Sequence, residues 1–549
     1  ARFFAPLLPC RASLALLAGP GPAMDPAATL RIVEAEWDAA LPSLQDFVRI
    51  PNITPGSDPD WQTNGLLDKV TAHVADWVRK QEVKGLTLDV LKDPDFSPFL
   101  YIEIPGTAGS PKANSTLVMY GHLDKQPAGP GWKPDIDPYG GMIRDGKVWG
   151  RGAADDGYAV YGSIIAVKAL QQQGIDHPRV IVIAETSEES GSPHLGHYVE
   201  KLASRIGSPS AVYCMDSIVE DYSTLWMTTS LRGVVMGTLE VSVLQAGMHS
   251  GFGGGIVPDA FRIARQLLAR VEDPATGRIC LPELCTKVPV ERQEQMKFLA
   301  EKCGRPDVSR EFAWKGRAGP LEADAFKMYL ANCWEPCMTV VGFDGLPTPD
   351  RAGNVLHPFV KMSLSFRIPP LVDHVAAGQA IKEAFERDPP CGASVTANFG
   401  SGHAAAGWNA PEPSPNLEAA MSEACAAYFD GQKIGHAGVG GTIPLMNMLG
   451  QMFPEACLVV TGVLGPGTNM HGPNEHLPID YTKKVTACVA MIMGVFKPEP
   501  SSWPEDVPVL PAEVLPSWPE GRRPREKKRK RMFCFTQPEV PIGQCLCCL

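Results

Sequence analysis

Four apolar runs that each stop at a side chain able to bind metal constrain this chain more than anything else in it. Leu117-Val118-Met119-Tyr120 runs into Gly121-His122-Leu123-Asp124. Residues 180–184 (VIVIA) run into Glu185-Thr186-Ser187-Glu188-Glu189-Ser190-Gly191. Ala211-Val212-Tyr213-Cys214-Met215 ends at Asp216, and Leu458-Val459-Val460 leads through a glycine-rich loop to His471. Short apolar runs alternating with amphipathic stretches are the pattern of an α/β domain. In open α/β sheets ligands bind beyond the carboxyl ends of the strands, so these four ends are expected to share one site. Between the first two, Trp149-Gly150-Arg151-Gly152 leads into Ala153-Ala154-Asp155-Asp156-Gly157, a glycine-flanked acidic turn before an apolar helix over 160–170. Further helices are expected over 30–48 and 67–83.

The inventory at these ends is two imidazoles and several carboxylates, with no cysteine. Such nitrogen and oxygen donors suit zinc, manganese or cobalt and do not suit a thiolate site. One carboxylate can bridge two metals about 3.5–4 Å apart, an arrangement that polarises a carbonyl and lowers the pKa of a shared water. A free carboxylate beside the pair then serves as general base. Adjacent glutamates such as Glu188 and Glu189 let one bind metal while the other faces the water, and Asp124 is placed to hold the second nitrogen of His122. A lone His-x-Asp is usually an ordinary loop, and a lone acidic pair is usually a solvated face. Five such pieces in order, each at a strand end or glycine turn, are neither. His73, His177, His357 and His436 have no such context.

The succession GHLD, GRGAADDG, ETSEESGS, Asp216 and MHGPNEH resembles the co-catalytic zinc peptidase family of carnosinases, cytosolic nonspecific dipeptidase, glutamate carboxypeptidases, aminoacylases and diaminopimelate desuccinylase. The resemblance spans roughly residues 25–496 and is strongest to the dipeptidase and carnosinase branch. It implies an α/β catalytic domain, with a mixed, mostly parallel sheet flanked by helices, over residues 25–228 and 410–497. An α+β lid that makes a homodimer is inserted over 229–409. It also implies two divalent ions per chain, zinc first and manganese or cobalt as alternatives. His122 and Asp216 would hold one ion, Glu189 and His471 the other, and Asp155 would bridge them with a cis peptide bond following. Glu188 would be the base and Asp124 would orient His122. His249, in Met248-His249-Ser250-Gly251, matches the lid histidine that reaches a partner's active site and polarises the scissile carbonyl. Arg367, on an expected strand over 360–368, matches the arginine that pairs with a substrate carboxylate. Asn354, Gly441 and Thr442 match other substrate-contacting positions. The lid is further expected to hold strand 234–243 and helix 259–271.

Three departures loosen the substrate assignment without removing a ligand. Gly157 stands where the dipeptidases usually carry lysine after the acidic pair. Lys125 stands where the carnosinase branch commonly has valine. Gly472-Pro473 follows the last ligand, where the relatives more often read Ala-His-Ser. The implied activity is hydrolysis of dipeptides or short peptides beside a free C-terminal carboxylate. The rivals are a deacylase or desuccinylase of N-acyl amino acids, with the same metal centre, and a non-catalytic member; the complete ligand set argues against the second.

With 549 residues, 44% hydrophobic and 20% charged, the chain is long enough for two domains and too apolar to be mainly disordered. No run of about 18 uncharged apolar residues marks a membrane span. Residues 522–531 carry eight positive charges and one negative, so without them the formal charge falls from −11 to −18. So acidic a body argues against nucleic acid as a partner, leaving the basic tail as the one place it could dock. Of the fifteen cysteines, those of the body are scattered and read as reduced, while four fall in the last sixteen residues. Residues 498–549 read as a Pro-rich linker and a basic, cysteine-containing disordered tail, whose ending fails the prenylation rule. Residues 1–24 read either as a targeting remnant or as sequence upstream of a start at Met24. The expectation is a cytoplasmic protein, or an organellar or secreted one if that stretch is a true targeting peptide.

Overall fold

The computed structural model describes residues 24–304, 314–400, 404–442 and 444–495. The Pro-rich linker, the basic cluster and the first 23 residues, on which several expectations fall, lie outside them.

A six-stranded sheet forms the centre, in the order Thr87–Leu91, Phe99–Ile104, Arg179–Glu185, Thr116–His122, Ala211–Cys214, Cys457–Val460. The first two strands are antiparallel to their neighbours and the other four run parallel. Parallel strands are covered on both faces, which is why they read as unbroken apolar runs. Leu117 and Met119 face a core under helices Pro26–Val48, Ala159–Gln173 and Ile479–Val495. Val118 and Tyr120, pointing the other way, face a second core with Leu195, Tyr198 and Leu449. Helix Ala159–Gln173 is buried almost all round, and Trp37 Nε1 donates to Thr486 Oγ1 (2.9 Å) inside the helical layer.

Strand Thr116–His122 is the topological switch point. The chain leaves it for the neighbour Arg179–Glu185 on one side and then returns to Ala211–Cys214 on the other. The crevice beyond a switch point is where open α/β sheets hold ligands, and His122 ends that strand.

The chain then leaves for an antiparallel sheet ordered Cys337–Asp344, Phe359–Ile368, Gly233–Ser242, Ser394–Asn398, with Ala404–Ala405 also paired to the third. Helices Ala260–Val271 and His374–Glu386 cover one face. Val360, Met362, Leu364, Phe366 and Ile368 alternate into that core, with Arg367 among the residues of the opposite face. This is the inserted lid. Helices Val290–Cys303 and Ala325–Cys333 lie in the same stretch of sequence, yet Met296, Leu299, Tyr329 and Trp334 are buried in the first core of the catalytic sheet.

Expected elements form with shifted ends. The first helix starts at Pro26 behind the Asp25 cap, and the second stops at Arg79, short of Val83. Asp259 is the cap of its helix and accepts from Arg262 N–H, so it lies just outside the helical residues.

At Gly121 an added Cβ would lie 2.7 Å from Ala159 Cβ and 3.0 Å from Asp156 Oδ2, so strand and helix meet there without room for a methyl group. Gly121→Ala is expected to cost roughly 1–3 kcal/mol by overpacking. An unchanged urea midpoint would show that this contact is not tight.

Candidate metal centre

The five expected ligands arrive on separate elements. His122 ends the central strand, Asp155 sits in the glycine turn before helix Ala159–Gln173, and Glu188 and Glu189 open the short turn Glu188–Ser190. Asp216 follows strand Ala211–Cys214, and His471 lies on the loop after Cys457–Val460, with a left-handed backbone (φ 58°).

The structure brings all five together. Asp155 divides its carboxylate between the two imidazoles, with Oδ1 3.1 Å from His122 Nε2 and Oδ2 3.0 Å from His471 Nε2. Asp216 Oδ2 lies 3.7 Å from His122 Nε2, and Glu189 Oε2 lies 2.9 Å from His471 Nε2. Two metal-capable groups emerge: His122, Asp155 and Glu189, and His122, Glu188 and Asp216. Glu188 thus offers an oxygen at ligand distance as well as lying beside the centre. The Asp155–Asp156 peptide is cis.

Neighbouring groups fix the ligands. Asp124 accepts the backbone N–H groups of Glu188 and Glu189, both at 3.1 Å, and its Oδ1 lies 3.5 Å from His122 Nδ1. One carboxylate therefore both caps the Glu188–Ser190 turn and faces the imidazole's far nitrogen, leaving Nε2 toward the centre. Gln126 Nε2 donates to Glu189 Oε2 (2.9 Å). Glu475 Oε1 accepts N–H groups from Gly152 (3.0 Å), Ala154 and Asp155 (both 3.2 Å), while its Oε2 takes Arg151 Nη1 at 2.6 Å. Arg151 Nη2 also donates to Gly472 O (2.9 Å). This fully buried pair ties the turn carrying Asp155 to the loop carrying His471. Gln126, Arg151 and Glu475 escape sequence reasoning; the only signal for Glu475 is its place four residues past His471.

The donor set fits divalent cations. Burial, then the charge of Asp155, pushes Asp216 up to about 7, and burial raises Glu188 well above the usual carboxylate range. Burial alone would lower His471, but Glu189 and Asp155 outweigh it and lift it to about 11. Buried negative charge in this excess calls for positive counter-charge. Glu189 Oε1 is buried without a hydrogen-bond partner, as an oxygen reserved for a cation would be.

The cleft at the centre is lined by Asp155, Glu188, Asp216, Gly441, Thr442 and His471, among others. Arg367 Nη1 donates to Thr442 Oγ1 (3.0 Å), which joins that residue to the cleft wall. His249 and Asn354 are brought to each other instead. They lie on the ribbon of Met248–His249 with Val355–Leu356, where Ser250 N–H bonds Asn354 O (2.8 Å), and neither lines this cleft. His249 is exposed, with Nδ1 accepting from Gly251 N–H. Among the described residues no helix is long and apolar enough to cross a membrane.

Glu475→Ala would strand Arg151 and leave three N–H groups of the Asp155 turn unbonded. Breaking a buried pair of this kind costs about 3–5 kcal/mol. The variant is expected to unfold at lower urea and to retain fewer metal ions per chain by elemental analysis; an unaltered metal load would show that the clamp does not shape the centre.

Comparison with known proteins agrees with this geometry. The cysteinylglycine-S-conjugate dipeptidase of Corynebacterium striatum is 26% identical over 411 residues, covering 73% of this chain and 85% of its own. Human Beta-Ala-His dipeptidase is 27% identical over 369 residues, covering 64% and 70%. The solved structure of the dipeptidase Dug1p from Saccharomyces cerevisiae superposes with a TM-score of 0.67 at 18% identity over 86% of this chain and 99% of that one, a likeness of fold. Residues 118–494 match Peptidase family M20/M25/M40, and with its two metal-capable clusters the chain belongs to that family as a metal-dependent hydrolase.

Proposed function

We propose that this hydrolase is a dizinc dipeptidase that cleaves short peptides beside a free C-terminal carboxylate. The observation that carries the reading is Asp155, whose two oxygens face one imidazole each while Glu188 lies buried at its side. In this reading His122 and Asp216 hold one ion, Glu189 and His471 the other, and Asp155 belongs to both. When bound, such a pair supplies carbonyl polarisation and a water acidic enough to attack.

The rest is done by the chain. Glu188, on a turn fixed by Asp124, takes the proton from the attacking water and delivers it to the leaving amine, so the C–N bond breaks without releasing a strong base. Burial raises its proton affinity, which suits a group that must accept a proton and pass it on. Arg367 and the backbone of the glycine turn at Gly441 meet the substrate's terminal carboxylate. Asn354 stands with His249 on the exposed ribbon. In a homodimer that ribbon would serve the neighbouring subunit's cleft, with His249 stabilising the oxyanion. The lid's outer strand Cys337–Asp344 supports such a dimer, for it leaves Val340, Val341 and Phe343 about 45% exposed on an edge that no described strand covers. Both curated relatives named above are dipeptidases, which supports the substrate class.

The test is a purified sample stripped of metal, reloaded with zinc or manganese, and run on free-acid dipeptides, their C-terminal amides and N-acyl amino acids. Two ions per chain and cleavage of the free acids are expected. Glu188→Gln should lose about 10²–10⁴-fold in kcat with both ions retained. Normal turnover in that variant would sink the base assignment, and cleavage of N-acyl amino acids alone would replace the peptide reading.

A further inference from the structure

The chain passes from the three-stranded sheet of Trp408–Asn409, Trp226–Leu231 and Gly435–Val439 to the lid sheet at a single buried arginine. Arg232 stands between strands Trp226–Leu231 and Gly233–Ser242, and only 7% of it is exposed. Among the described residues no carboxylate pairs with it. Its Nε donates to Gly440 O (2.9 Å), and its Nη1 reaches Glu335 O (3.3 Å), Ala331 O (3.4 Å) and Cys337 Sγ (3.4 Å). The guanidinium thus joins the glycine turn of the cleft to the end of helix Ala325–Cys333. Its main chain joins the same turn, for Arg232 N–H donates to Val439 O (3.3 Å) and Arg232 C=O accepts from Thr442 Oγ1 (2.5 Å).

That last bond settles what Thr442 can do. A threonine hydroxyl has one proton to give. Here it goes to Arg232 C=O, and the lone pair on the other side receives Arg367 Nη1 at 3.0 Å. With its proton committed, the hydroxyl has none for a carboxylate. Arg367, near the end of strand Phe359–Ile368, pairs in register with Val234, two residues past Arg232, so the neighbouring strand brings it beside the crossing.

We propose that Arg232 and Thr442 are positioning residues that act through Arg367: Arg232 locks the crossing point to the glycine turn, and Thr442 relays that lock to the guanidinium which meets the substrate carboxylate. Thr442 is therefore an aligner of the carboxylate site and not one of its donors. The inference rests on the reading that Arg367 binds that carboxylate, and the test separates the two.

The experiment is a double-mutant cycle on zinc-loaded enzyme, with KM and kcat measured for a cleaved dipeptide and for its C-terminal amide. Arg367→Met should raise KM for the free acid about tenfold or more and leave the amide nearly unmoved. Thr442→Val should do the same with kcat little changed, and Thr442→Ser, which keeps the hydroxyl, should restore the wild-type KM. In the Arg367→Met background, Thr442→Val should add less than about twofold, because residues acting through one another do not add. Arg232→Met should show the same non-additive rise. Thr442→Val changes neither charge nor side-chain shape, so it decides the matter if Arg232→Met does not fold. Independent, multiplying penalties from Thr442→Val and Arg367→Met would overturn the relay while leaving the carboxylate reading intact. An unchanged KM in Arg367→Met would overturn the carboxylate reading itself.

Discussion

The structure depends on one carboxylate held between two imidazoles at the switch point of a parallel sheet. Around Asp155 the fold buries Asp124, Asp156, Glu185, Glu188, Glu189, Asp216 and Glu475. Each buried carboxylate costs several kcal/mol unless something answers its charge. The protein answers them in two ways. Asp124 receives two backbone N–H groups, Glu185 the hydroxyls of Tyr120, Ser187 and Ser192, and Glu475 three N–H groups and a guanidinium. Asp155, Glu188, Glu189 and Asp216 have little beyond the imidazoles, Gln126 and one another. Apart from Asp156, whose Oδ2 accepts His122 N–H (3.3 Å) and whose Oδ1 has no partner, the carboxylates thus sort into a supporting set satisfied by protein and a central set suited to cations.

The strand-end ligands were legible because a parallel strand covered on both faces has no alternation to confuse it. It reads as an apolar run, and the first polar side chain after it marks the end of the sheet. His122 and Asp216 follow that logic, Glu188 comes three residues after the Glu185 that ends its strand, the glycine turn of Asp155 stood out by composition, and resemblance then supplied their roles. Gln126, Arg151, Glu475 and Arg232 were not legible. Their work is done across 63 to more than 300 residues of sequence, on backbone atoms whose positions only the closed fold defines. Helix starts were less legible than strand ends: the first helix is expected from Leu30 but begins at Pro26 behind the Asp25 cap, and Asp259 caps its helix rather than opening it.

Two departures from the relatives' motifs turn out to be one packing arrangement. Lys125 is fully buried and runs inward, donating from Nζ to Phe47 O (2.8 Å) and Ile50 O (2.7 Å), where helix Pro26–Val48 ends. Phe47 O also accepts Ile50 N–H (3.1 Å) and Ile50 O accepts Asn52 N–H (2.9 Å), so the lysine takes a second lone pair on each, and an ammonium there complements the negative end of the helix dipole. Burial pulls the lysine's pKa well below its ordinary value, and the two oxygens and the Phe47 ring, 4.2 Å away, act against that by favouring the charged form. The same ring fills the space where residue 157 would carry a side chain: a Cβ there would lie 2.3 Å from Phe47 Cε1 and 2.4 Å from Gly152 O. With Phe47 so placed, the position after the acidic pair must be glycine. The arrangement touches the loops that carry His122 and Asp155 but none of the ligands, so the centre survives it intact.

The lid also divides differently in space than in sequence. Helices Val290–Cys303 and Ala325–Cys333 lie in the inserted stretch but bury Met296, Leu299, Tyr329 and Trp334 with the catalytic helices, while the antiparallel sheet keeps a separate core of its own. Packed cores shift as units, because interdigitated side chains do not shear continuously. The chain crosses between the two cores at Arg232 and returns at Gly407, where a Cβ would lie 2.8 Å from both Gly233 N and Leu231 O. Helix Ala325–Cys333 packs with the catalytic core, while Arg367 stands on the lid sheet. A pocket built from both sides depends on how these crossings are packed, and the hydroxyl of Thr442 bonds across the seam, to Arg232 C=O and to Arg367.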